Sequence, residues 1–582
     1  MQRQRLLLLV TVLLPFVLLL AAEAVLRVAG VGRLEPLFVP VAGTPGYLQP
    51  NPEAIRRFFP DPATAPDVSI DTTWFPARKS AGTLRIFVQG ESSAAGFPYG
   101  RWASPAALLQ QRLQRAYPDR NVEVINTAMA AVTSYVLLDF ADEIIAQRPD
   151  AVVIYAGHNE YLGIGGVGSS LASAKSPALA RAVAALRRVH LYRGFERLVA
   201  PLVGSKHDPL VERGSTLMAR VARERSIALG SDLFARGEEQ FSGNLSRLLG
   251  KYREAGVQVF IGTLASNLRD QPPFVSVVAS GPDSARERYA EAREHDRDGS
   301  YAEALEEYVA AKDLDGLRFR APESFDAVIR EAAAAQGATV VDVRGAMTRA
   351  ARDGIVGADL MLEHVHPNVE GYFRLASAFY SAMSAWAGRP AIEVGDNLAR
   401  AEMPVTAIDR LGGEYRVLLL KNDWPFVAER RAVRLPPPAT PIERIAQAWF
   451  SGNLPWADAM RNALDAYQAE GNTGEAARVA VNLAEAFVVS DLAQYTAGRL
   501  LLRANQPERA VRYLERAIAL EPAGATVEYR LSLAEAQARS GAPARSIATL
   551  EAILSKHPAD ERAKYWLREM RLRQQEATAP VE

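Results

Sequence analysis

The sequence predicts an α/β domain built on a parallel sheet, followed by an all-α repeat domain and preceded by an N-terminal transmembrane helix. Three observations carry this. Five short β-branched runs alternate with helix-period segments. Two C-terminal helical stretches align at an offset of 36 residues. An apolar run of 17 residues, Leu6 to Ala22, follows Arg3 and Arg5.

The apolar run has two readings. A cleaved signal peptide would use Ala22-Glu23-Ala24 as an A-x-A-like site. An uncleaved anchor would run on through Ala24-Val25-Leu26. The run exceeds the usual signal core of about 7–15 residues and meets the lower limit of roughly 17–25 that span a bilayer, which favours an anchor through residues 6–26. Basic residues before it and Glu23 after it direct the N-terminus to the cytoplasm. The bulk of the chain is then extracytoplasmic, periplasmic or at the cell surface. Residues 1–28 are this segment, and the Pro- and Gly-rich residues 29–80 read as a stalk and entry segment.

Residues 81–390 carry the alternation. The strand candidates are Leu84–Val88, Val122–Ile125, Ala151–Tyr155, Val257–Ile261 and Thr339–Val343, with helix-period stretches at 104–116, 134–147, 236–255 and 324–336. Near-continuous apolar strands separated by helices argue for a parallel sheet covered on both faces. Functional residues then belong at the carboxyl ends of the strands. Helical insertions are expected at about 165–235, as a lid or side layer, and at about 283–316, as a helical hairpin. Long insertions sit on loops and often carry specificity.

Residues 391–440 read as a linker, marked by Pro436-Pro437-Pro438, since consecutive prolines favour extended geometry. Beyond it, 441–582 is helical and repetitive. Pro507 to Pro522 aligns with Pro543 to Pro558, pairing Arg509 with Arg545, Leu514 with Leu550, Glu515 with Glu551, Tyr529 with Tyr565 and Leu531 with Leu567. Small residues and Leu at helix–helix spacing, with Pro closing the second helix, resemble tetratricopeptide repeats, whose period is about 34. An ordinary helical bundle is the alternative.

Composition narrows the function. The 582 residues are 49% hydrophobic and 23% charged, which is globular material. Lys+Arg and Asp+Glu are 67 each, so no electrostatic footprint for nucleic acid exists. The absence of cysteine removes disulfides, thiolate metal sites and thiol nucleophiles. With 7 histidines, each can be weighed singly.

Gln89-Gly90-Glu91-Ser92-Ser93-Ala94 follows the first strand. A serine at a strand-to-helix turn has free backbone N–H groups beside its hydroxyl, which suits a nucleophile with its own oxyanion donor. A simple helix cap is the competing reading. Asn126-Thr127-Ala128 follows the second strand, and Gly157-His158-Asn159-Glu160-Tyr161 the third. The Asn159 amide can donate to a developing oxyanion, or it can form an Asx-turn. Late in the chain stands Glu363-His364-Val365-His366-Pro367-Asn368. A carboxylate three residues before a histidine can fix one imidazole nitrogen and leave the other free, as a general base requires. A metal site on Glu363, His364 and His366 and a pair of buried structural histidines are the alternatives. After the fourth strand, Arg269 can meet an anionic substrate or pair with Asp270, the second being the expectation.

Taken in order, these four elements resemble the conserved blocks of the SGNH (GDSL-type) hydrolase family, over roughly residues 80–390. Gly-Glu-Ser92-Ser stands where the family has Gly-Asp-Ser-Leu, and Glu363-x-x-His366 where it has Asp-x-x-His. The resemblance implies a flavodoxin-like sheet. It also implies a catalytic triad in which Ser92 attacks an ester carbonyl, His366 moves the proton and Glu363 orients His366. The oxyanion would be held by Ser92 N–H, Ala128 N–H and the Asn159 side chain. Ala128 replaces a family glycine and Glu363 an aspartate. The implied protein is a membrane-anchored serine esterase without cofactor or metal. Its expected partners are an acyl-ester substrate, with an acylated polysaccharide as one candidate, and a protein on the repeats. A polysaccharide O-acyltransferase using the same residues is the first alternative. A repeat scaffold with a degenerate hydrolase domain is the second.

Overall fold

In the computed structural model of the chain, the residues described are 2–59, 65, 68–169, 183, 186–203, 224–521 and 527–578. They form two units, one of Met1–Glu393 with Arg416–Val433, the other of Val394–Tyr415 with Arg434–Glu582.

The first unit begins with the apolar helix Gln2–Ala29. A small antiparallel sheet follows: β1 (Phe38–Pro40), β2 (Tyr47–Pro50) and β3 (Phe75–Pro76). Then come five parallel strands: β4 (Thr83–Gly90), β5 (Asn121–Asn126), β6 (Ala151–Tyr155), β7 (Gln258–Gly262) and β8 (Thr339–Val341). Their spatial order is β5-β4-β6-β7-β8. This is the flavodoxin-like order, with its switch point between β4 and β6. All eight residues of β4 are buried, as befits a strand flanked on both edges and covered on both faces.

Two groups of helices cover the sheet. Pro105–Ala116, Val343–Ala350 and Val369–Ala387 pack together, as do Ser134–Ala146, Asp232–Glu254 and Ser324–Gln336. Their starts follow local chemistry. Ser104, Ser231 and Asn368 each accept a backbone N–H of the first turn as N-caps.

The segment 29–80 is more than a stalk. Phe38 and Phe75 set their rings edge-on to Phe87 of β4, with centroids 5.6 and 5.9 Å away. The wholly buried Arg85 donates to Pro76 O of β3 (2.7 Å), Glu123 Oε2 of β5 (2.7 Å) and Gln147 O (3.1 Å). Strands of two to four residues, all three ending in proline, leave no readable period in the sequence. Within the 165–235 insertion, the helix His190–Val203 is described, and much of the rest lies outside the described residues. The 283–316 insertion holds Ala285–Asp298 and Tyr301–Leu314, packed on each other through buried Ala292, Ala304 and Tyr308.

The second unit is helical, with helices from Pro441–Phe450 to Glu561–Thr578. Thr440 and Glu443 form a capping box at its first post-linker helix. Pro507 and Pro543 each open a helix, as the repeat alignment requires, and Leu514 and Leu550 are both fully buried. Pro522 lies outside the described residues. The linker reading of 391–440 needs correction: the helices Asp396–Ala401 and Ala407–Lys421 occupy it, and residues 416–433 count with the first unit.

Gly90, where β4 ends, has no room for a side chain. A Cβ there would drive into the carbonyl oxygen of Tyr155 on β6 and into Ala94. Gly90→Ala is expected to destabilise the first unit by roughly 1–3 kcal/mol. Chemical denaturation should show this as a lower midpoint with an unchanged slope.

Candidate active site

At the end of β4 the chain turns into the short helix Ser92–Ala95. Ser92 is its first residue, so its N–H has no intrahelical acceptor. Glu91 points the other way. Its Oε1 accepts the N–H groups of Gly157 (2.9 Å) and Asn159 (3.2 Å), so the serine turn fixes the loop after β6. Gly157 adopts φ +148°, and a Cβ on it would meet Leu264 Cδ1 at 2.5 Å. Burial pushes the Glu91 carboxyl up to about 8, against the pull of the backbone donors.

The Glu-His-Val-His-Pro-Asn segment is fastened at several points. Leu362 N donates to His366 O (2.9 Å), Asn368 N to Leu360 O (2.9 Å) and Asn267 N to His364 O (2.9 Å). Asn368 then caps the helix Val369–Ala387 by accepting from Gly371 N (2.9 Å). Ser93 Oγ donates to Val365 O (3.0 Å), which ties this segment to the serine turn.

These constraints bring Ser92, Glu363 and His366 together. His366 Nε2 lies 2.7 Å from Ser92 Oγ, inside the roughly 2.6–3.2 Å span of a working pair. His366 Nδ1 meets Glu363 Oε1, which also accepts the His366 N–H (3.0 Å). The other Glu363 oxygen meets His364 Nδ1. Burial works to raise the Glu363 carboxyl, and the two imidazoles outweigh it, holding the group well below the usual carboxylate range. His364 itself sits among Phe274, Phe319 and Phe426, with ring centroids 5.6, 5.7 and 5.7 Å away. Burial lowers its pKa against the attraction of Glu363. The Phe97 ring packs on His366 at 4.5 Å.

The remaining expected residues divide. Asn159 lines the same cavity as Ser92 and His366. Ala128 does not. It is buried, and its N–H is already donated to Asn126 Oδ1 (3.0 Å). Asn126 uses its amide nitrogen to hold Ala94 O (3.2 Å), so the second block braces the serine helix. Ala130 and Ala131 reach the cavity instead, Ala131 in the left-handed region at φ +57°. Among the described residues no acceptor takes the Ala131 or Ser92 N–H. A left-handed alanine carries no sequence signal, so this position was not legible. Ser93 and Phe97 were missed for a plainer reason, since neither belongs to a recognisable spacing.

His158 plays a different part. Its Nδ1 accepts from Ala321 N (3.2 Å), and burial pushes its imidazole down to about 3. Arg269 does not pair with Asp270. It binds Asp296 (2.9 Å) and Asp353 (3.2 Å), while Asp270 accepts from Ala358 N (2.7 Å).

The cavity at Ser92 measures about 800 Å³ and is bounded by Phe97, Ala131, Asn159, Phe319 and the segment 416–433. Such a size suits a small organic ligand.

Glu91 gives a pH signature. Its carboxyl titrates near 4.5 when solvated and near 8 when folded. Between those values the folded state keeps a proton that the unfolded chain releases. The stability from this group is therefore full below about 4.5 and is lost as pH rises through about 8. Glu91→Gln keeps the Oε1 acceptor and should flatten that part of the stability–pH curve. Parallel wild-type and variant curves between pH 5 and 8 would count against a neutral Glu91.

Residues 88–374 match the model of the GDSL-like Lipase/Acylhydrolase family, and residues 501–568 match that of the Tetratricopeptide repeat. No curated protein matches the chain. Among solved structures, the chain is similar to an Axe2 mutant, an acetyl-xylooligosaccharide esterase from Geobacillus Stearmophilus. The identity is 15%, covering 53% of this chain and 97% of that one, with a TM-score of 0.27. It is also similar to the lipase/acylhydrolase from Enterococcus faecalis (17%, 52% and 96%, TM-score 0.26). A third is the psychrotrophic esterase EstA from Pseudoalteromonas sp. (13%, 52% and 98%, TM-score 0.25).

Proposed function

With residues 88–374 belonging to the GDSL-like lipase/acylhydrolase family, we propose that the protein is a membrane-anchored, extracytoplasmic serine esterase working through an acyl-serine. The observation that carries this reading is the line Ser92 Oγ–His366 Nε2, His366 Nδ1–Glu363 Oε1.

Glu363 is an acceptor when ionised, so His366 carries its proton on Nδ1 and presents a lone pair on Nε2 to the serine. Ser92 Oγ adds to the ester carbonyl carbon as its proton passes to Nε2. Glu363 stabilises the imidazolium. The negative oxygen is met by the N–H groups of Ser92 and Ala131 and by the Asn159 amide. Collapse breaks the bond to the alcohol, whose oxygen takes the proton from His366. Water then adds to the acyl-serine, giving its proton to His366, and the acid leaves as Ser92 regains its hydrogen.

The anchor is supported by more than length. Val10–Ala29 has a mean hydropathy of 2.2 and none of it is buried. Glu23, near its end, is built into the folded unit. Its carboxylate accepts the first two N–H groups of the helix His190–Val203, from His190 (3.1 Å) and Leu191 (2.8 Å). A carboxylate at a helix N-terminus satisfies orphan donors and complements the dipole. Removing residues 1–24 with a leader would strip this cap, which supports a retained helix. Arg3 and Arg5 then keep the N-terminus in the cytoplasm and the catalytic unit on the far side. The tetratricopeptide repeats offer a surface for a protein partner.

Ser92→Ala and His366→Ala should each lower ester turnover on the order of 10⁴-fold or more with folding intact. His364→Ala should cost far less. Asn159→Ala should cost about 10²–10³-fold. Initial rates with p-nitrophenyl esters, alongside circular dichroism, measure this; a more damaging His364→Ala would identify a different base.

Mass spectrometry of the protein from membranes should find peptides from the first 23 residues, and alkaline carbonate should not release it. A mature N-terminus at Val25, just past Ala22-Glu23-Ala24, would sink the anchor reading.

A further inference from the structure

One wall of the cavity comes from residues that the family-matched region does not contain. Beyond 374 the chain completes the helix Val369–Ala387 and later returns through Arg416–Val433, which belongs to the same unit as Ser92. Leu419, Leu420, Pro425, Phe426 and Val433 of that segment line the cavity together with Ser92 and His366. Phe97, Ala130, Phe319 and Val365 line the same cavity.

The segment is fastened in place. Arg416 Nη1 donates to Pro98 O (2.8 Å), next to Phe97. Phe426 sets its ring edge-on to Phe274 at 5.3 Å, and Trp424 does the same with Phe319 at 5.6 Å. The guanidinium of Arg225 lies over the Trp424 ring at 4.9 Å. Of the polar groups of the wall, Arg416 donates to Pro98 O and Arg430 lies 4.0 Å from Asp423, and Arg431 also lines the cavity.

Such a wall discriminates among acyl groups. Sugar hydroxyls need hydrogen-bonding partners, and leucine, proline and phenylalanine side chains provide none. An aliphatic chain gains roughly 0.8 kcal/mol for each methylene buried, or roughly fourfold in kcat/KM. An acetyl group would leave most of about 800 Å³ unfilled.

We infer that Arg416–Val433 is the acyl-binding wall of the site and that the substrate is an ester of an aliphatic acid several carbons long, not an acetylated glycan. This rests on the esterase reading above. Leu419 is its best probe, because at 42% exposed it tolerates replacement.

The test uses the full-length protein in detergent and p-nitrophenyl acetate, butyrate, octanoate and dodecanoate. Expected are a kcat/KM at least tenfold higher for octanoate than for acetate, and a fall of that ratio by tenfold or more in Leu419→Asp, with circular dichroism unchanged. A second measurement avoids turnover: Ser92→Ala should bind a fluorescent dansyl-undecanoic acid, and Ser92→Ala with Leu419→Asp should bind it at least tenfold more weakly. Highest turnover with acetate, or an octanoate-to-acetate ratio that Leu419→Asp leaves unchanged, overturns this inference while the esterase stands. No turnover at any length, with Ser92 unlabelled by a fluorophosphonate, overturns the esterase reading and this inference together.

Discussion

The hydrogen bond from Ser92 to His366 joins residues 274 positions apart, and the architecture of the first unit can be understood as what holds its two ends in register. One end hangs from β4, an interior strand of the sheet flanked by β5 and β6. The other lies between β8 and the helix Val369–Ala387. Neither segment is regular where the contact is made, so each depends on side chains fastening one irregular loop to another. Ser93 holds Val365, Asn126 holds Ala94, and Glu91 holds Gly157 and Asn159. The four blocks at the carboxyl edge therefore position one another. A neighbour of the serine is as much a part of the site as the serine itself.

Burial alone does not decide the charge of a carboxyl here. Glu91, Glu160 and Glu363 are all withdrawn from solvent. Glu91 is met mainly by backbone N–H groups, and burial wins, pushing it up to about 8. Glu160 accepts from the Ser134 hydroxyl and N–H and from Gln240, and burial again wins, pushing it up to about 7. Glu363 faces two imidazoles, and there the ionised form prevails. Neutral dipoles soften desolvation, whereas a titratable base can reverse it. Of these three carboxyls, the one beside His366 is the one kept charged.

Much of this was legible in the sequence, for physical reasons. The strands of the parallel sheet are buried on both faces, so Leu84–Val88 and Ala151–Tyr155 read as apolar runs whatever surrounds them. Ser92, Asn159, Glu363 and His366 stand out because each belongs to a short polar motif at a strand end or helix start, as the proposed ester chemistry would require. Three things were hidden. The short strands before Thr83 are set by packing on Phe87, which no local period encodes. Ala131 is distinguished by a backbone angle, and alanine gives no hint of it. The wall at 416–433 lies inside the stretch 391–440 that reads as a linker, and only the tertiary path of the chain returns it to the cavity.

The glutamate at 363 is where this site departs most from the residue its family resemblance implies, and the geometry gives the longer side chain a use. Its two oxygens meet the Nδ1 atoms of two histidines two positions apart in one tight loop. An aspartate, shorter by one methylene, would sit closer to its own backbone, with less reach to span both rings. Its Oε1 meets the His366 ring and also accepts the His366 N–H (3.0 Å), which limits rotation of the carboxylate away from His366. His364 is itself immobilised among Phe274, Phe319 and Phe426. Phe426 belongs to the cavity wall. The same aromatic cluster thus borders the space beside Ser92 and holds His364 next to Glu363, the carboxylate that meets His366 Nδ1.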